Sequence, residues 1–371
     1  MRVIALIEKP DHVCYRYRLE AFIPELWERG CTLEAAPLAR SWLGRLRQLR
    51  SLAAADVVIL QRKLLPLLQL AVLRRSARKL IYDFDDAVYH RDSFARKGIP
   101  SRQRMGQFWA TVSAADGVIA GNAFLAQQAR QFVDSERVHV VPTCVRPELY
   151  EPAAHAARRG STRLVWIGQP STLRGLEQAR PHFAAVARRV PGAELHVVCS
   201  EFPHFDPLRV VPRPWTQSGE ADELTRCDIG VSWLPDDAWS RGKCGLKVLQ
   251  YLAAGLPVVA NPVGIQADLV RPGVTGFLAE TPAEWATAVA TLAADPQLRR
   301  QMGAAGRALV EREYSERITA RKFVDVVARV TGRELSPVRW EPARPSERPR
   351  ATSPSSPQLP VPQLTGEPST W

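Results

Sequence analysis

The residue types best suited to chemistry gather in residues 241–264, RGKCGLKVLQYLAAGLPVVANPVG. Two glycines, Gly242 and Gly245, precede a segment of helical spacing. It opens near Leu246, reaches Ala254, and is ended by Gly255 and Pro257. A glycine loop lets a ligand approach the backbone closely, and a helix start offers unpaired N–H groups and the positive end of the helix dipole. That combination suits an anion, phosphate above all. Lys247 falls in the first turn, where a cation is unfavourable for the dipole unless an anion answers it. Gln250 and Tyr251 follow three and four positions later and share its face. Arg241 and Lys243 add positive charge to the same loop. A plain surface lysine on an ordinary helix is the alternative, and the residues alone leave both open.

A second concentration is YDFDDAVYHRDS, residues 82–93, with Asp83, Asp85 and Asp86 just past a strand-like run. Acids this crowded must be solvated, paired or metal-bound. No other acid cluster accompanies them, and no histidine–cysteine set completes a metal site, so no metal is expected. His90 stands alone nearby, as an acceptor contact or an ordinary histidine. Near the N-terminus, KPDHVCYRYRLEAF places His12, Arg16 and Arg18 between a strand and a helix. Arginines there can hold an anionic acceptor or donor phosphates, or can pair with acids on the helix surface.

The elements that must position these residues alternate along the chain. Apolar strand-like runs fall at residues 3–7, 57–60, 79–82, 117–120 and 138–141, and again at 163–167, 194–198, 229–233 and 257–260. Helical segments lie between them, including 17–29, 102–114 and 122–132. Strands apolar throughout and separated by helices imply parallel sheets covered on both faces. The alternation runs twice, with a Pro-rich linker at residues 142–160. The expected fold class is α/β, two Rossmann-like doubly wound domains facing a cleft. Ligands in such sheets bind beyond the carboxyl ends of the strands. The expected domains are 1–150, 151–315, and a helix over 316–335 packing back on the first domain. Residues 336–371 are Pro- and Ser-rich without apolar period and read as a disordered tail.

The 371 residues suffice for two such domains, and no apolar run approaches bilayer length. The first apolar run is broken by Glu8 and Lys9, unlike a signal peptide, so a cytoplasmic location is expected. Six scattered cysteines read as reduced and buried. A formal charge of +12 suits a phosphate-bearing partner or an anionic membrane. Nucleic acid is disfavoured because no recognisable binding module is present. Two basic amphipathic stretches, 38–53 and 61–80, suit either the inner face of an anionic membrane or simple cover for a sheet.

Residues 241–264, with the run 270–315 behind them, resemble the donor-binding region of GT-B glycosyltransferases of family 4 (glycosyl transferases group 1). The shared features are the glycine loop, the helix, AAGLPVV, and a GVTGFL turn at residues 273–278. VSAADGVIAGNAFLAQQARQF and VHVVPTCV resemble the end of that family's first domain. The resemblance covers about residues 1–330. It implies sugar transfer from a nucleotide-sugar, UDP- or GDP-linked, to a hydroxyl of a glycan, lipid-linked or small acceptor. It also implies retention at the anomeric carbon and no metal or other cofactor.

The implied donor contacts are Gly168, Ser171, Thr172 and Arg174 in the loop after one strand, with Arg241, Lys243, Gly245, Leu246, Lys247 and Gln250. The family's two glutamates fall on Gly242 and Gln250, so the first is lost and the second becomes an amide for the ribose. Asp85 and Asp86 occupy the place of a catalytic His-Asp pair, and Lys247 that of a lysine directed at the diphosphate. His12, Arg16, Arg18 and His90 are the acceptor-side candidates. Loss of the first glutamate admits the alternative of a non-catalytic nucleotide- or partner-binding protein.

Overall fold

Two six-stranded parallel sheets carry the chain in the computed structural model, which describes residues 1–155 and 161–337. The last residues of the expected linker, 156–160, and the expected disordered tail from 338 onward lie outside the described residues. Residues 1–337 make one compact unit.

The first sheet holds β1 (Arg2–Ile7), β2 (Thr32–Pro37), β3 (Val57–Gln61), β4 (Leu80–Phe84), β5 (Gly117–Ala120) and β6 (Val138–Val140), in the order β2-β1-β3-β4-β5-β6. The second holds β7 (Arg163–Ile167), β8 (Glu194–Cys199), β9 (Arg209–Pro214), β10 (Ile229–Ser232), β11 (Val258–Ala260) and β12 (Gly276–Leu278), in the order β12-β11-β10-β7-β8-β9. The central strands β3, β4 and β5 are buried at every position, which is why they read as unbroken apolar runs.

Three strands escape the sequence reading: β2, β9 and β12. All are sheet edges. Edge strands need bury only part of their surface and tolerate proline, and TLEAAP and RVVPRP show both traits. GFL, read as part of a turn, is a three-residue strand on β11.

The long helix Glu316–Thr331 returns to the first sheet. Phe323 lies fully buried with its ring 4.9 Å from that of Phe22. Ala320, Val324 and Val327 join Val3, Ala5 and Ile59 in one apolar cluster. The chain therefore crosses between halves twice, and the last helix belongs to the first half's core. Phe323→Ala should cost about 3–5 kcal/mol, the usual loss for a buried aromatic. An unchanged denaturant midpoint would show that this helix adds nothing to the core.

Candidate functional site

The site is built where the carboxyl edges of both sheets meet. On the second sheet, β10 leads into a loop that ends at Gly245, and the helix Leu246–Ala253 follows. Gly245 caps that helix with a left-handed φ of 69°, and a Cβ there would come within 2.6 Å of Leu269 Cδ1. Only glycine serves on both counts. The first turn then presents Lys247. Its Nζ lies 4.3 Å from the centre of the Trp166 ring, over the end of β7. No carboxylate pairs with it among the described residues. Burial, and then repulsion from Lys243, push its pKa down to about 7. A lysine so placed has a cation's geometry and lacks a counter-ion.

The opposite wall is the end of β4. Asp83 accepts from the wholly buried Arg18 at 3.1–3.2 Å, and Arg18 also donates to Val141 O. Arg62 holds Asp85 at 2.8 Å and Asp86 at 2.7 Å. Burial opposes the charge on Asp85, but Arg62 and Arg18 hold its carboxyl below the usual range. Lys243 reaches across from the second half to Asp86 at 3.0 Å, with its ammonium 4.8 Å from the Trp239 ring centre. Asn122, which caps its own helix through Leu125 N–H, donates to the carbonyls of Gly242 and Lys243. The Cys244 thiol donates to Asp85 O, and the hydroxyls of Ser93 and Ser240 meet at 3.1 Å.

Gly242 is the tightest point of this seam. A Cβ there would lie 2.8 Å from Ala87 Cβ and 2.9 Å from Ala87 N. A glutamate, which the resemblance implies at this position, would have no room beside Ala87.

The structure thus brings Asp85, Asp86, Lys243, Gly245, Leu246 and Lys247 into one region. Gly168, Ser171 and Thr172 form the turn after β7, with the Thr172 hydroxyl donating to Gln169 O at 2.8 Å. Arg174 is exposed, 5.9 Å from the Phe94 ring across the cleft mouth. Arg241 points to solvent and pairs with Asp236 at 2.7 Å. His90 is half-buried beside Tyr89, and burial lowers its pKa against the pull of Asp237.

The other candidate side chains are engaged within the chain itself. Arg18 is not on the acceptor side, because Asp83 keeps it buried beneath the cleft. His12 is half-buried and caps the short helix Val13–Arg16: its Nδ1 accepts from Cys14 N–H at 3.2 Å, and burial and Arg62 lower its pKa. Arg16 is paired with Glu220 and Tyr17 rather than left free for an acceptor. Gln250, expected at the ribose, is buried and donates to the hydroxyls of Tyr17 at 3.1 Å and Tyr150 at 3.4 Å. Sequence reasoning missed Arg62 and Asn122. Arg62 lay within a basic amphipathic run, and its left-handed φ of 60° leaves no trace in periodicity.

Lys247 supplies a test of this geometry. Its folded pKa of about 7 is below the ordinary lysine value of 10.5, so the unfolded chain binds more protons between those values. Stability of the ligand-free protein should therefore rise with pH across that window. Lys247→Met should abolish the rise and be more stable than the parent near pH 6. Parallel melting curves of the two proteins against pH would contradict the assignment.

A family profile described as "Glycosyl transferase-like" matches residues 178–325. D-inositol 3-phosphate glycosyltransferase of Nocardia farcinica is 29% identical over 224 residues, 52% of this chain and 48% of that protein. Alpha-maltose-1-phosphate synthase of Mycobacterium tuberculosis is 27% identical over 263 residues, 59% of this chain and 64% of that protein. The chain spans about half the length of the D-inositol 3-phosphate glycosyltransferases it matches. Among solved structures, sucrose-phosphate synthase from Thermosynechococcus elongatus superposes with a TM-score of 0.70 at 14% identity, covering 90% of this chain and 99% of that one. Anabaena HepE in complex with UDP and glucose gives 0.67 at 14% identity, covering 89% and 100%. Two parallel sheets meeting at their carboxyl edges are the fold of these solved glycosyltransferase structures, and residues 178–325 are similar in sequence to glycosyl transferase-like proteins.

Proposed function

We propose that the chain transfers a sugar from a nucleotide-sugar, UDP- or GDP-linked, to an acceptor hydroxyl with retention at the anomeric carbon. One observation carries this: Lys247, at a glycine-led helix start on the strand-end edge beside Trp166, has no anionic partner among the described residues, and burial lowers its pKa. A diphosphate placed there restores the favourable charge balance and gains the free N–H groups of the first turn. As the bond from the anomeric carbon to the diphosphate breaks, negative charge grows on the departing oxygen. Lys247 and Lys243 stabilise that charge in place, so the reaction needs no metal. Asp85 and Asp86 are already neutralised by Arg62 and Lys243, and they serve to shape the sugar-side wall. HepE, a neighbour in fold, is described with UDP-glucose, which favours a UDP-sugar here.

The acceptor is proposed to be lipid-linked. The helices Trp42–Arg50 and Leu67–Ser76 pack together after β2 and β3, so both begin at the cleft edge of the first sheet. Trp42, Leu43, Leu67 and Leu68 are exposed there, with exposed Arg40 just before Trp42 and exposed Arg47 and Arg50 further along the same helix. Exposed apolar side chains with arginines on the same helix suit the headgroup layer of an anionic leaflet. Among the described residues no helix is long and apolar enough to cross a membrane.

Incubation with UDP-, GDP-, ADP- and dTDP-sugars tests the reaction. Slow hydrolysis of one donor is expected, with Lys247→Ala lowering it at least 100-fold, about 3 kcal/mol of lost charge stabilisation. The packing of Gly242 against Ala87 favours a second reading, binding without transfer. Donor-induced thermal stabilisation with no turnover would select it. For the membrane, the protein should sediment with phosphatidylglycerol vesicles, and the double variant Trp42→Ser, Leu68→Ser should not. Equal sedimentation of both would remove this surface from the account.

A further inference from the structure

Asn122 stands just past β5, at the carboxyl edge of the first sheet, and opens the helix Ala123–Arg130. Its Oδ1 accepts from Leu125 N–H at 2.9 Å, the bond of an ordinary N-cap. Its Nδ2 serves a different purpose. It donates across to the second half, to Gly242 O at 3.3 Å and to Lys243 O at 3.0 Å. The residue is 4% exposed, so the whole amide is spent inside the protein. Ser, Thr, Asp and Asn all cap helices well. Of these, only Asn caps with an oxygen and still has two N–H donors, one for each carbonyl. The cap alone does not call for asparagine here; the two carbonyls do.

The neighbouring residues make a seat for the same loop. A Cβ on Gly121 would overlap Cys244 Sγ and lie 3.2 Å from Asp85 Cα, so glycine leaves room for that thiol. The thiol in turn donates to Asp85 O at 3.1 Å. Between Gly242 and Cys244 lies Lys243, held by the first half at both ends: its carbonyl by Asn122, its ammonium by Asp86 at 3.0 Å. Gly245 is held differently, against Leu269 and Ile265 of its own half. The helix start that carries Lys247 is thus anchored in the second half, while Lys243 takes its position from the first.

We propose that Asn122 is a positioning residue for sugar transfer: through the backbone of Lys243 it sets that lysine beside the departing diphosphate. This rests on the nucleotide-sugar reading above and adds to it a first-half residue that acts only through Lys243. Without the two donated bonds the diphosphate should still bind at the helix start. Its departure should slow, because a displaced cation stabilises the growing negative charge less well.

Two measurements test it together: turnover of the nucleotide-sugar that the unmodified protein hydrolyses, and calorimetric affinity for the matching nucleoside diphosphate. Asn122→Ser keeps a capping oxygen but gives up the reach to both carbonyls. Asn122→Asp keeps cap and shape but turns an oxygen toward them. Each should lower kcat about tenfold or more. The nucleoside diphosphate should bind nearly as before, which also shows that the variants are folded. Lys243→Ala should lower kcat by at least as much, and adding Asn122→Ser to it should cost nothing further. Parental kcat in both Asn122 variants overturns the proposal. So does a loss that multiplies with that of Lys243→Ala, the mark of a general structural effect, or diphosphate binding that weakens in step with kcat. An unmodified protein that turns over none of the four nucleotide-sugars removes the transfer reading, and this role with it.

Discussion

Asp83, Asp85 and Asp86 stand almost side by side at the end of one buried strand, and each is paired with a cation. Burying an unpaired carboxylate costs several kcal/mol, so each draws a cation to it. Arg18 comes from the loop after β1, Arg62 from the end of β3, and Lys243 from the second half of the molecule. The acid cluster therefore ties three segments remote in sequence to a single strand end. It also sets where the two sheets meet.

That requirement divides the positive charge of the cleft into two kinds. Arg18, Arg62 and Lys243 are answered by acids of the chain itself. Among the described residues Lys247 has no such acid: it lies over Trp166, close enough to Lys243 for the two to repel. The seam explains the glycine at position 242 too. With Ala87 pressed against it, any side chain would separate the halves that Asp86 and Lys243 draw together. At this seam an acid cluster from the first half faces the glycine of the second.

Much of this was legible in the sequence, and the limits have physical causes. The central strands were readable because burial on both faces leaves an unbroken apolar run, as in VVIL and LVWI. The edge strands were not, since half-exposed strands need no such run. The glycine loop and Lys247 were visible because a cation at a helix start contradicts the dipole unless something compensates. Arg16 and Arg18 illustrate the converse. They are two positions apart and alike in type, yet one meets Glu220 and the other lies wholly beneath the cleft on Asp83. Local pattern carries no information about a partner 65 or more positions away. Gln250 was assigned by position, but its orientation is decided by Tyr17 and Tyr150.

The central claim is that Lys247 is a cation awaiting a diphosphate. Its own titration, followed by lysine-selective NMR with and without UDP, reports on that directly. The ammonium should titrate at about 7 in the free protein and move back toward the ordinary lysine value when UDP is bound. A lysine that titrates normally in the free protein, or whose titration is indifferent to UDP, would contradict the account.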